Sequence, residues 1–212
     1  MDEIADALER ALTSAENDLR LEQAVYGLDA MKEVALQQLL ADQLQTTGYA
    51  DVKREVHYPS DLAKKRSGRR RCDFVLTPPG RVLHEADAVD LFTPDNVCPP
   101  EEALWLELKL VHQFAEGGRR HGGYGQQWRE ATVKDLRKIE SEPRVREAAL
   151  VLLAFTAGDA VIDKDLELFE DVLARKEVLA GFRQVRRIEL LERNGHTRAT
   201  VALWPTIQRG TD

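Results

Sequence analysis

Glu107 and Lys109 lie two residues apart in the run Leu104-Trp105-Leu106-Glu107-Leu108-Lys109-Leu110-Val111, and their types and spacing point most directly to chemistry. Side chains alternate along an extended strand. Leu104, Leu106, Leu108 and Leu110 therefore share one face, and Trp105, Glu107 and Lys109 the other. A carboxylate and an ammonium then project side by side from an otherwise apolar strand, which is costly unless they pair with each other, with a metal or with a substrate. Upstream, Arg71-Cys72-Asp73-Phe74-Val75-Leu76 puts another acid in a second strand-like run. An acid on one strand and Glu-x-Lys on the next suit metal-assisted phosphodiester hydrolysis.

The elements that must position these groups follow from periodicity. Ile4, Leu8, Ala11, Leu12, Ala15 and Leu19 recur at helical spacing and predict an amphipathic first helix. A second helix is expected from Asp29, an acceptable N-cap, through Val34, Ala35, Leu39 and Leu40, with Gly48 as its left-handed stop. Val52, Arg54, Val56 and Tyr58 alternate as in a half-buried strand. Lys64 to Arg71 reads as a basic hairpin loop, Arg71 to Thr77 as the second strand, and the five-proline, acid-rich stretch 78–102 as an irregular excursion before the strand carrying Glu107.

A loop with Gly117, Gly118, Gly122, Gly123 and Gly125 then opens a helix over 127–141. Ala148 to Thr156 is continuously apolar, as in a central strand covered on both faces. Leu166, Phe169 and Leu173 mark another helix. Arg183–Glu192 and Thr197–Trp204 flank Asn194-Gly195, the strongest short hairpin signal in the chain. Antiparallel strands followed by strands alternating with helices predict an α/β sandwich with a mixed sheet. With no internal repeat and no linker, one domain over 1–212 is expected.

Composition sets the surroundings. The chain has 212 residues, 43% hydrophobic and 32% charged, enough for a sizeable core. No apolar stretch approaches the roughly 18 residues of a membrane span. The first residues are acidic where a secretory leader would be basic and then apolar, so a cytoplasmic location is expected. Cys72 and Cys98 form neither a disulfide framework nor a zinc pattern, and the five histidines show no metal-ligand spacing. With a net charge of −7, contact with nucleic acid requires a local basic patch.

Taken together, these residues resemble the PD-(D/E)XK nuclease superfamily, the restriction-endonuclease-like α/β/α fold. Its core runs helix, three-stranded meander, helix, strand. Asp73 matches the acid of the second strand, Glu107 and Lys109 match Glu-x-Lys on the third, and Glu33 matches an acid that many members place on the first core helix. The resemblance covers about 29–156, with 1–28 as an N-terminal helical extension and 157–212 as a helix plus a C-terminal β-hairpin. It departs from the family in lacking a Pro before Asp73 and in the long insertion between the second and third strands. The resemblance implies a Mg²⁺ ion, for which Mn²⁺ substitutes, held by Asp73, Glu107 and the Leu108 carbonyl. Lys109 would stabilise the forming hydroxide or the phosphorus centre, and Glu33 would serve a second ion or orient a water.

Glu-x-Lys alone is a weak signal. Asp51-Val52-Lys53 has the same form, yet no acid-bearing strand precedes it, so it reads as a chance match. The plain alternative for Glu107 and Lys109 is an ion pair on a solvated face. Asp73, Glu33 and the order of elements favour a site. Lys64, Lys65, Arg66, Arg69, Arg70 and Arg71 put six basic residues into eight positions just before Asp73, suited to phosphate neutralisation or to an ordinary solvated hairpin. Arg119 and Arg120 in the glycine-rich loop, with Gln126 after it, complete the expected nucleic-acid contacts. That loop lacks the Gly-Lys-Ser/Thr ending of a P-loop.

The expected function is a Mg²⁺-dependent nuclease acting on DNA, in restriction, defence or DNA processing, with DNA rather than RNA implied by the resemblance. No separate reader domain is visible, so a homodimer or a partner subunit would supply specificity. The rival expectation is a non-catalytic accessory subunit that binds nucleic acid or protein.

Overall fold

The pairing of short alternating segments builds the sheet that carries the site. The structure is a computed structural model and describes residues 1–49, 51–84 and 95–207. Six strands form one mixed sheet: β1 (Asp51–His57), β2 (Arg71–Thr77), β3 (Leu104–His112), β4 (Glu147–Thr156), β5 (Gln184–Glu189) and β6 (Arg198–Pro205), in the spatial order β1-β2-β3-β4-β6-β5. β3 and β4 run parallel, and every other neighbouring pair is antiparallel. Four helices cover the sheet: α1 (Asp2–Leu21), α2 (Glu33–Leu44), α3 (Thr132–Glu140) and α4 (Asp159–Arg175). The expected α/β class with a central mixed sheet is therefore observed.

Alternation along β3 sorts its residues into two cores. Leu104, Leu106 and Leu108 join Phe74, Leu76 and the apolar faces of α1 and α2. Val111 joins Leu150, Leu152 and Trp204 beneath Leu136 of α3 and Phe169 of α4. β4 is buried from Ala148 to Thr156, as its unbroken apolar run requires of a strand covered on both faces. Trp105, Trp128 and Trp204 are all core residues. No helix among the described residues is long and apolar enough to cross a membrane.

Three local expectations are corrected. The second helix starts at Glu33, not Asp29, because the Asp29 carboxylate bonds His196 Nδ1 at 2.7 Å instead of capping a helix. Its buried face is Leu36, Gln37, Leu40, Ala41 and Leu44, whereas Val34 is 67% exposed. Gly48 is no left-handed stop: the helix ends at Leu44, and the Gly48 amide donates to Glu3 Oε1 at 2.8 Å.

The expected C-terminal hairpin is present, β5 pairing antiparallel with β6, and Asn194-Gly195 lies in the loop between them, with Gly195 at φ 86°. β5 ends at Glu189 and β6 begins at Arg198. The longer loop is anchored by side chains: buried Glu16 accepts the Leu191 amide at 2.9 Å and the Arg193 guanidinium at 3.1 Å. His196 accepts the Phe114 amide at 3.0 Å through Nε2, so its proton sits on Nδ1, facing Asp29.

The stretch 78–102 is not wholly irregular, since Val82–Leu83 pairs parallel with Val97–Cys98, while residues 85–94 of it lie outside the described residues. The glycine-rich loop forms a small antiparallel ribbon of Phe114–Ala115 and Arg119–Arg120. It turns on Gly117 and Gly118 at φ 78° and 72°, values a side chain would strain.

The corrected face of α2 has a measurable consequence. Leu36→Ala is expected to cost about 2–5 kcal/mol of stability in urea unfolding, and Val34→Ala less than about 0.5 kcal/mol. The reverse order would restore the expected helix face.

Candidate active site

The site lies where β2 and β3 part. Their ladder runs Leu76↔Leu104, Val75↔Trp105, Phe74↔Leu106 and stops there, although β2 continues to Arg71 and β3 to His112. β2 remains paired to β1, and β3 to β4, so the sheet forks rather than frays. Asp73 is the next residue on one tine, and Glu107 and Lys109 follow on the other. Side chains replace the missing ladder bonds. Asp73 Oδ2 accepts the Leu108 amide at 2.6 Å, and Cys72 Sγ donates to the Leu106 carbonyl at 3.3 Å. Backbone groups that lose a ladder partner need such replacements.

Asp73 is also held from α2. Gln37 Nε2 donates to Asp73 Oδ1 at 3.3 Å, and Gln37 Oε1 accepts Arg54 Nη2 at 3.5 Å. The arginine thereby fixes which end of the amide faces the acid. On the far side of Asp73, the β1–β2 register is continuous except opposite Asp73, where Glu55 adopts φ 55°. Positive φ is uncommon for a residue with a side chain, so the backbone is strained on this flank too.

Glu107 is 5% exposed, and both of its bonds fall on one oxygen. Tyr58 Oη and Lys138 Nζ each donate to Oε1 at 2.6 Å. Lys109 Nζ lies 3.4 Å from Asp135 Oδ2. β3 thus presents an acid and a base, and α3 answers with a base and an acid, Lys138 and Asp135, one helical turn apart. Burial raises the Asp73 pKa to about 7, helped by the nearby charge of Glu107. Glu107 is raised by burial as well, against the opposing pull of Lys138. Two neighbouring carboxylates in a half-dry fork resist carrying two negative charges.

Other expected residues fall as follows. Glu33 is exposed in the first turn of α2, on the wall of an open cleft with Leu110, His112 and Gln127, and the residue that reaches Asp73 is Gln37, one turn further on. Gln126 donates to Glu130 at 3.2 Å and is exposed. In the basic loop, Arg70 and Lys64 both bind buried Asp61, and Arg69 donates to the Leu62 carbonyl at 2.7 Å. Arg71 lies 3.7 Å from Glu55, Lys65 is exposed, and the Arg66 side chain lies outside the described residues. The loop is thus partly neutralised from within. Arg119 and Arg120 are exposed on the ribbon.

Tyr58, Gln37, Asp135 and Lys138 were not singled out as site residues from the sequence. Lys138 and Asp135 carried one signal: they are polar positions three apart on a helix whose Leu136 and Ile139 are core residues. Gln37 is an amide on an otherwise apolar helix face.

No family model matches this chain, and no curated protein or solved structure does. The case for function therefore rests on the fork and its charges.

Those charges give a pH signature. A carboxyl raised in the fold contributes stability below its unfolded pKa and loses it as pH rises through its folded value. The metal-free protein is therefore expected to lose stability between about pH 4 and pH 7 through Asp73. Asp73→Asn, unfolded by urea in a chelator, should be more stable than wild type at pH 8 and show a smaller advantage at pH 4.5. Parallel curves for the two proteins would rule out the strained pair.

Proposed function

We propose that the chain is a Mg²⁺-dependent nuclease of the PD-(D/E)XK type, with the restriction-endonuclease-like fold, hydrolysing phosphodiester bonds of DNA. The observation that carries this reading is the fork. The β2–β3 ladder stops just before Asp73 on one tine and Glu-x-Lys on the other, and the Asp73 carboxylate accepts the amide of Leu108, the residue between Glu107 and Lys109.

The donor set suits the ion. Among the described residues, no three His, Cys, Asp or Glu side chains are grouped to hold a metal. Asp73, Glu107 and backbone carbonyls would offer oxygen donors, and Mg²⁺ is characteristically bound by one or two carboxylates while keeping several waters. Zinc sites characteristically include His nitrogen or Cys sulfur beside any carboxylate. Asp73, Glu107 and the Leu108 carbonyl are the residues that would hold it. When bound, such an ion polarises a phosphoryl oxygen and makes a coordinated water more acidic.

The protein's own groups do the rest. Gln37 and the Leu108 amide orient Asp73, while Tyr58 fixes one oxygen of Glu107. Lys109, kept at the mouth of the fork by Asp135, supplies fixed positive charge to the phosphorane-like transition state. Arg119 and Arg120 are exposed cations on a glycine-hinged ribbon and serve as phosphate contacts, whereas Asp61 ties down much of the 64–71 patch.

Purified protein with Mg²⁺ or Mn²⁺ should nick or degrade DNA, and a chelator should stop it. Asp73→Asn should abolish cleavage, and Lys109→Ala should slow it on the order of 10²–10³-fold, with DNA binding retained. Full activity in either variant would place the chemistry elsewhere. Robust binding without cleavage by wild type, across DNA and RNA substrates, would favour the accessory-subunit reading instead.

The contact surface has its own test. Arg119→Ala with Arg120→Ala should flatten the log-affinity against log-salt slope for duplex DNA by roughly two units. An unchanged slope would move the nucleic-acid surface away from the ribbon.

A further inference from the structure

Helix α3 brings a cation to the fork that Glu-x-Lys does not contain. Lys138 Nζ lies 2.6 Å from Glu107 Oε1, 2.6 Å from the Arg71 carbonyl and 5.0 Å from the centre of the Tyr58 ring. Its ion pair is the more sheltered of the two at the fork. Side-chain exposures are 18% and 6% for Lys138 and Glu107, against 29% and 21% for Lys109 and Asp135. The ammonium also spans the fork, because Arg71 begins β2 while Glu107 belongs to β3.

A buried carboxylate without a countercharge is strongly unfavourable, and Lys138 supplies that charge. A divalent ion on Glu107 supplies it too. The two cations then repel across a poorly screened site, so they compete for one acid. Resting on the metal-dependent reading above, we propose that Lys138 is the stand-in cation of the metal-free protein. It neutralises Glu107, and a divalent ion binds by displacing it from Oε1.

The surroundings suit that exchange. Leu136 and Ile139 seat α3 in the core at 1% exposure each, so the exchange needs only the lysine side chain to move. The Arg71 carbonyl and the Tyr58 ring face remain to receive the ammonium, the latter through a cation–π contact. Tyr58 Oη keeps its bond to Glu107 throughout. Lys138 is thus a positioning residue, acting on the ion through Glu107.

The test is Mn²⁺ binding by the full chain, read from the electron paramagnetic resonance signal of free aqueous Mn²⁺. Lys138→Met keeps the apolar stem over Tyr58 and removes the charge, and it is expected to bind Mn²⁺ about tenfold more tightly than wild type. Lys138→Arg should stay within about threefold of wild type, while Tyr58→Phe, which removes a neutral donor from the same oxygen, should not tighten binding. A purely structural role for Lys138 predicts the opposite sign, a loosened site with weaker binding.

Equal or weaker affinity in folded Lys138→Met overturns the proposal and leaves the metal-dependent reading standing. Absence of Mn²⁺ binding in both wild type and variant overturns the two together. Should Lys138→Met fail to fold, wild type labelled at lysine ¹⁵Nζ decides. The Lys138 resonance, assigned by its loss in Lys138→Arg, should shift when Mg²⁺ saturates the protein, and an unmoved resonance overturns the proposal.

Discussion

Everything at the candidate site depends on the ladder between β2 and β3 stopping at Phe74↔Leu106. Had the pairing continued, Asp73 and Glu107 would sit on a closed sheet with their backbones occupied by each other. Because it stops, the Leu108 amide turns to the Asp73 carboxylate. The opening does not unravel because each tine keeps its outer partner, β1 on one side and β4 on the other. Helices from both layers then close in, α2 through Gln37 and α3 through Asp135 and Lys138.

Much of this frame was legible in the sequence because it is written in short periods. The alternation of Leu104 to Leu110 gave β3 and the side on which Glu107 and Lys109 project. The unbroken apolar run to Thr156 gave the central strand, and the spacing of Ile4 to Leu19 gave α1. What was not legible depends on partners far along the chain. Asp29 has the chemistry of a helix cap, yet it spends its carboxylate on His196, which no local rule anticipates. Asn194-Gly195 has the chemistry of a tight turn, yet Glu16 and Arg193 hold a longer loop open around it.

The site divides along the same line. Asp73, Glu107 and Lys109 were visible as residue types at a spacing, while the groups that orient them were not. Tyr58 looked like the end of an alternating strand and Gln37 drew no reading at all, yet tertiary packing aims each at an acid. The basic run before Asp73 shows the converse. Its six cations are obvious in the sequence, but buried Asp61 binds Arg70 and Lys64, a neutralisation invisible without the fold. Hydrogen bonds from Arg70 hold the Asp61 carboxyl well below the usual range, so it stays charged and keeps hold of them.

The segment leading into α3 is not regular. Gln127–Ala131 forms a wider π-helical turn between the short helical piece Tyr124–Gln126 and α3. Such a turn accommodates one residue more than an α-helix does over the same rise, as a local bulge. Within the turn, Trp128 packs edge-on against Phe169 of α4. Beyond it Leu136 and Ile139 seat α3 in the core, and Asp135 and Lys138 face β3. Trp128, Thr132, Leu136 and Ile139 keep the spacing of one buried face across the turn. The wider turn absorbs its extra residue locally, so a one-residue deletion between Gln127 and Ala131 would regularise the segment and leave Asp135 and Lys138 facing the fork.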